Sequence, residues 1–336
     1  MKFTKTLAAV AGVGLVAAGL LSAAPASADP NGTPAGNTRA LAGVGSDTTQ
    51  NVMSDLADVV LIGGVKQIAS WDATGAANFQ TRTTGCTYTR AEANGSGNGR
   101  SRLLESLTAG DTRSGCLDFA RSSSGKGTLV TTPSLTWIPF ANDDATFVVR
   151  GDGTVSRNLT LANLISAYQC TLQPDINPVL PQTGSGSRSF WLGIVGITEA
   201  QITAGTYPCL TGAGTTTSRA YVQENDARTL KSDEVMPFSV GLYNTQVSGV
   251  NIDNRGSAVL GQINSTLPTG LATSFPVRRS LYNVIPTSKL TTAPWSTVFV
   301  GSTSLVCNQP ATVTVNGFAP LNATSTPVCG DSSSQS

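Results

Sequence analysis

The 336-residue sequence contains no histidine. That absence removes the Ser-His-Asp and Cys-His arrangements of nucleophilic hydrolysis, and with them a favoured zinc ligand. Charge is scarce too: 12% of residues are charged, and the formal net charge is +1. No run of Lys or Arg occurs, so the basic field that a nucleic-acid backbone requires is missing and no nucleic-acid partner is expected. Cys-x-x-Cys and the Gly-x-Ser-x-Gly elbow are absent, and Gly125-Lys126 lacks the first glycine and the following hydroxyl of a P-loop. Ser123-Ser124-Gly125-Lys126 matches Ser-x-x-Lys, but without a Lys-Thr-Gly partner it leaves a secreted Ser/Lys hydrolase as the weakest reading. No catalytic residue, cofactor or metal is expected.

Glycine, by contrast, is plentiful, with 35 residues, and much of it stands beside hydroxyls. Three stretches each follow an apolar or extended run, or open a helical pattern: Gly43-Val44-Gly45-Ser46-Asp47-Thr48-Thr49, Asn94-Gly95-Ser96-Gly97-Asn98-Gly99, and Thr183-Gly184-Ser185-Gly186-Ser187-Arg188. Such turns point backbone N–H groups outward at a helix N-terminus, where an anion is favoured. One alone reads as a capped loop; three in one chain predict convergence on one ligand.

Residues 1–28 read as a secretory signal: Lys2 and Lys5, an apolar core from 7 to 21, and Ala26-Ser27-Ala28 as the cleavage site. The core is too short and too rich in Gly and Ala for a membrane span, and no cysteine follows it to carry a lipid. The expected location is therefore extracytoplasmic, on the cell-wall side of the membrane. The six cysteines, Cys86, Cys116, Cys170, Cys209, Cys307 and Cys329, all lie in the mature part, where an even count favours disulfides. Fifteen connectivities exist; sequential pairing keeps each bridge within one region.

Alternating strands and helices predict an α/β chain, and its length suits two lobes. Strands are expected at 40–44, 66–71, 117–120, 135–140, 145–149 and 220–223, with Asn142-Asp143-Asp144 between two of them. Helices are expected at 50–61, 99–107, 159–168 and 190–197, and a capped segment over 232–243 that Pro237 would interrupt. From 277 onward the chain reads as β-rich, with strands at 281–285, 296–300 and 311–315, ending in a frayed tail at 332–336. The acidic pairs Asp143-Asp144 and Glu224 with Asp226 read as solvated loop residues, and the scattered tryptophans as core.

The order and spacing of these stretches resemble the substrate-binding proteins of phosphate ABC transporters, within the type II periplasmic binding protein superfamily. The resemblance rests on residues 43–49, Gly95-Ser96-Gly97, Leu117-Asp118-Phe119-Ala120 followed by Ser122-Ser123, and Gly184-Ser185-Gly186-Ser187. It implies a monomer whose lobes, 29–140 with 275–336 and 141–274, close on a small oxyanion, most often phosphate, for an ABC-transporter permease. The C-terminal extension from about 297 has no counterpart. Carried over, Thr48, Ser96, Ser185, Gly186 and Ser187 would be donors, with Ser122 and Ser123 facing the ligand and Thr49 and Gly97 beside them. The chain departs from the pattern where Ser123 replaces an acceptor aspartate, and where Pro181 and Thr183 replace Arg and Asp. Asp47 can supply the acceptor or cap a helix; Arg188 or Arg121 can supply a cation or serve in structural ion pairs. A secreted binding or surface protein of the same fold, with a changed ligand and no transport role, is the alternative.

Overall fold

The computed structural model describes residues 29–30, 39–82, 85–211, 221–270 and 275–336; the leader expected at 1–28 lies outside them. The first part alternates strand and helix. β1 (Leu41–Gly45) leads to α1 (Gln50–Val59), then a hairpin of β2 (Leu61–Ile62) and β3 (Val65–Lys66), then β4 (Ile68–Ser70). A second hairpin, β5 (Asn78–Gln80) and β6 (Thr87–Thr89), precedes α2 (Arg90–Ala93), α3 (Ser96–Leu107) and β7 (Phe119–Ser122). α1 forms as its pattern predicts, burying Val52, Met53, Leu56 and Ala57 on one face.

β8 (Leu135–Arg150) is the spine of the molecule: sixteen residues, nearly all buried. Asn142, Asp143 and Asp144 do not interrupt it, because all three pair with β14, and Asp143 and Asp144 are buried. β14 (Arg278–Pro286) pairs with its first half and β11 (Glu234–Ser239) with its second, both antiparallel. Between these partners lie β9 (Asn158–Leu159), α4 (Leu161–Tyr168), β10 (Asn177–Pro178), α5 (Gly186–Val195), α6 (Glu199–Thr203), α7 (Val240–Val247), β12 (Ala258–Leu260) and β13 (Gln262–Ile263). The sheet runs β10-β11-β8-β14-β7-β1-β4, parallel at both ends and antiparallel in the middle.

The apolar cores divide along β8. Residues 135–141 of the strand join clusters drawn from 41–141 and 281–329, together with Leu242. Residues 145–149 join clusters drawn from 145–277. Trp71, Trp137 and Trp191 are buried, as expected of core residues.

Three local expectations change. Residues 232–243 form β11 and then α7, with Pro237 inside the strand opposite Phe147; the proline is tolerated because β10 pairs only with Glu234 and Val235, leaving one side of β11 unpaired at 237. From 277 onward β14 covers the expected strand at 281–285, but 296–300 and 311–315 fall on α8 (Trp295–Phe299) and α9 (Pro310–Val315), so beyond β14 only β15 (Ala319–Pro320) is strand among the described residues. Pro294 and Pro310 stand at the starts of these helices, where a missing N–H costs nothing. The tail is also held: Trp137 N donates to Ser334 O at 2.9 Å and Ser336 N to Leu135 O at 2.9 Å.

All six cysteines pair sequentially, as Cys86–Cys116, Cys170–Cys209 and Cys307–Cys329. Cys209 is fully buried in the core under α4 and α5, and its bridge spans 39 positions. Replacing Cys170 and Cys209 by serine is expected to lower stability by about 3–4 kcal/mol through the freed unfolded chain. Urea unfolding measures this, and an unchanged midpoint would show the bridge to be dispensable.

Candidate functional site

The three glycine-rich openings do meet, and they meet on one another. Gly97 N donates to Gly184 O at 2.8 Å, and Ser123 N donates to Ser96 Oγ at 3.0 Å. Ser46 Oγ donates to Ser123 Oγ at 2.9 Å. A Cβ on Gly186 would lie 2.1 Å from Ser96 Oγ and 2.4 Å from Ser123 Oγ, so only glycine permits this approach. Carboxamides extend the seam: Gln182 Nε2 donates to Asn94 Oδ1 at 3.1 Å, and Asn94 Nδ2 to Gln223 Oε1 at 3.2 Å.

Beside this seam an anionic group already sits at the head of α5. Glu224 Oε1 accepts from Thr48 Oγ1 at 2.8 Å and from Ser187 N at 3.3 Å. A helix N-terminus and a hydroxyl thus hold a carboxyl group, which is the task expected of the cradle. Arg279 braces both donors, with Nη1 donating to Ser187 Oγ at 2.7 Å and Nη2 to Thr48 Oγ1 at 3.3 Å. Its Nη2 and Nε also reach Asp143 Oδ2, at 2.8 and 3.1 Å. Asp143 Oδ1 in turn accepts from Ser239 Oγ at 2.9 Å and Gly241 N at 3.3 Å. Burial raises the pKa of Asp143, while Arg279 and these donors oppose the rise.

Of the expected site residues, Thr48, Ser187 and Asp47 come to this point. Asp47 Oδ1 accepts from Asn225 Nδ2 at 3.0 Å, and Asn225 Oδ1 accepts from Ser239 N at 3.1 Å. Ser96, Gly97, Ser123 and Gly186 form the seam beside it. The others have local duties. Ser185 caps α5, accepting from Arg188 N at 3.1 Å, and Ser122 Oγ donates to Ser124 O at 2.7 Å. Thr49 precedes α1, and its buried Oγ1 has no partner among the described residues.

Both arginines weighed for the ligand's cation are engaged within the protein. Arg188 grips Glu199, at 2.6 and 2.8 Å, and donates to Pro181 O at 3.1 Å. Arg121 is fully buried among oxygens, donating to Ser70 Oγ and Trp71 O at 2.7 Å and to Ser46 O and Gly45 O at 3.3 and 3.4 Å. Burial lowers its pKa to about 10. Asp143, Asp144 and Glu224, expected as solvated acids, are all buried, because β8 is covered and the chain at 224 crosses the closed seam. The cation at the cradle is Arg279, which the sequence reading missed. Its signal was the alternation Val277, Arg279, Leu281, which puts a charge in the apolar phase of β14.

No family model matches the chain, and no curated protein matches it. Solved structures do. One described as a phosphate ABC transporter substrate-binding protein with bound phosphate, from Clostridium perfringens, aligns over 84% of this chain and 99% of its own at 15% identity, with a TM-score of 0.55. An ABC-type phosphate transport receptor from Vibrio cholerae aligns over 83% and 99% at 16% identity, with a TM-score of 0.50. The likeness establishes the fold, that of the two-lobed periplasmic binding proteins.

Arg279→Met would leave Asp143 buried without its cation and is expected to cost about 3–5 kcal/mol, with Asp143→Asn in the same chain restoring part of the loss. Denaturant melts of the single and double variants measure it. Asp47 supplies a pH test. Burial, then the neighbouring Glu224, raises its pKa to about 8. The folded chain thus holds a proton that the unfolded chain, with a value of about 4, releases, so stability falls as pH rises from about 4 to about 8. Asp47→Asn should flatten melting temperature across that window; an equal slope in both proteins would place the titration elsewhere.

Proposed function

We propose that this protein is an extracytoplasmic solute-binding protein that closes two lobes on a small oxyanion, phosphate being the best suited, and presents it to an ABC-transporter permease. The lobes in this reading are 29–140 with 275–336 and 141–274, acting as a monomer. One observation carries it: Thr48 Oγ1 and the Ser187 N–H converge on a single carboxyl oxygen, Glu224 Oε1, with Arg279 behind both. Donors that hold one buried carboxyl oxygen suit any tetrahedral oxyanion that takes its place. Capture is therefore an exchange in which Glu224 withdraws and the ligand enters. Asp47 stands beside the exchange point, and a carboxyl oxygen there that accepts the ligand's O–H favours an ion that carries a proton over one that has none. No bond is made or broken in this role.

The position of Glu224 also favours a second reading, a secreted binder whose cradle is satisfied internally and whose ligand has changed. Calorimetric titration of the mature protein, freed of ligand, with phosphate and with sulfate separates the two. Under the first reading phosphate binds, sulfate binds far more weakly, and Thr48→Val costs about 1–3 kcal/mol of phosphate affinity for the lost hydroxyl. Equal binding of both ions, or of neither, would give the second reading the lead.

A further inference from the structure

Beside the cradle lies a cavity of about 510 Å³, walled on one side by α1 and the 72–75 turn and on the other by 223–228 and 242–254. Its lining is strongly acidic: among the described residues Asp47, Asp55, Asp72, Glu224 and Asp226 stand against one cation, Arg228. That guanidinium is committed to Asp226, donating through Nε at 3.0 Å and Nη2 at 2.5 Å. The hydrogen bonds that reach Asp47, Asp55 and Glu224 come from neutral donors, namely Asn225, Asn316, Thr48 and the Ser187 N–H.

A second observation points the same way. Glu224 is 2% exposed and stands between cradle and cavity; Oε1 is held on the cradle side, while Oε2 has no hydrogen-bond partner among the described residues. A buried carboxyl oxygen left without a donor is costly, and a donor arriving from the cavity would relieve that cost. Burial first, and then Glu224, raises the pKa of Asp47, against the opposing pull of Asn225 and Arg121. Among the described residues no three acidic side chains are grouped closely enough to hold a metal ion, so the charge is spread around the space. Leu242, Val250 and Ile252 add apolar surface between the acids.

We propose that this cavity is a binding site for a small alkylammonium or guanidinoalkyl cation, whose N–H groups meet the carboxyls and whose methylenes lie on Leu242, Val250 and Ile252. Charge-assisted N–H···O bonds fix the head groups, and the amide-rich remainder of the wall accepts the rest. The site does not depend on the cradle accepting an oxyanion.

Calorimetry with putrescine, agmatine and tetramethylammonium at low ionic strength tests it, using the mature protein and two variants. Putrescine or agmatine should bind, and tetramethylammonium, which carries charge but no N–H, should bind at least about tenfold more weakly. Asp72→Asn should weaken putrescine about tenfold, and Asn51→Lys, which puts an ammonium into the cavity wall, should abolish binding. Circular-dichroism melts confirm that both variants fold. No binding of either amine at millimolar concentration overturns the proposal. So does equal binding of tetramethylammonium, or binding unchanged in both variants. Amine binding without phosphate binding leaves it standing while the oxyanion reading falls.

Discussion

Arg279 is buried, so its charge must be met by oxygens from the elements packed around it. β8 supplies Asp143, the head of α5 supplies Ser187, and the turn before α1 supplies Thr48. Asp143 is in turn held by the start of α7 through Ser239 and Gly241. Four segments far apart in sequence are thus tied to one guanidinium at the middle of the strand that both cores share. Isolated, such a pair adds little net stability, since desolvation offsets attraction. Its effect is geometric: the two donors that grip Glu224 stand where Arg279 holds them.

That arrangement explains why the cleft is sealed rather than open. The glycine openings approach until backbone touches backbone, and the place where an anion belongs is taken by a side chain of the protein. Binding a solute there requires the seam to part and Glu224 to leave, so any affinity is net of those contacts. The acidic cavity lies next to it, with Glu224 in its lining.

Much of the fold was legible because periodicity survives in it. α1, α3 and α4 lie where apolar spacing places them, and the three donor-rich turns lie next to one another. The disulfides followed the simplest pairing. The failures have a common cause, which is tertiary burial of polar residues. Asn142, Asp143 and Asp144 looked like a loop because polar and acidic residues are depleted in strands, yet pairing with β14 keeps them in β8. Glu224 looked solvated for the same reason. Residues 296–300 and 311–315 are β-branched and aromatic enough to read as strands, but they fold as short helices opened by Pro294 and Pro310.

The place of β14 in the sheet has a kinetic consequence. It lies between β8 and β7, so the strand that joins the two halves of the sheet is made some 130 residues after them. Until residue 286 has been supplied, β7 and β8 have no common neighbour, and the β1-β4-β7 unit keeps an uncovered edge. The Cys86–Cys116 and Cys170–Cys209 bridges, by contrast, each close within chain already made. Covalent order can therefore precede sheet order, and a chain cut before β14 would be correctly crosslinked yet left as two unjoined, aggregation-prone pieces.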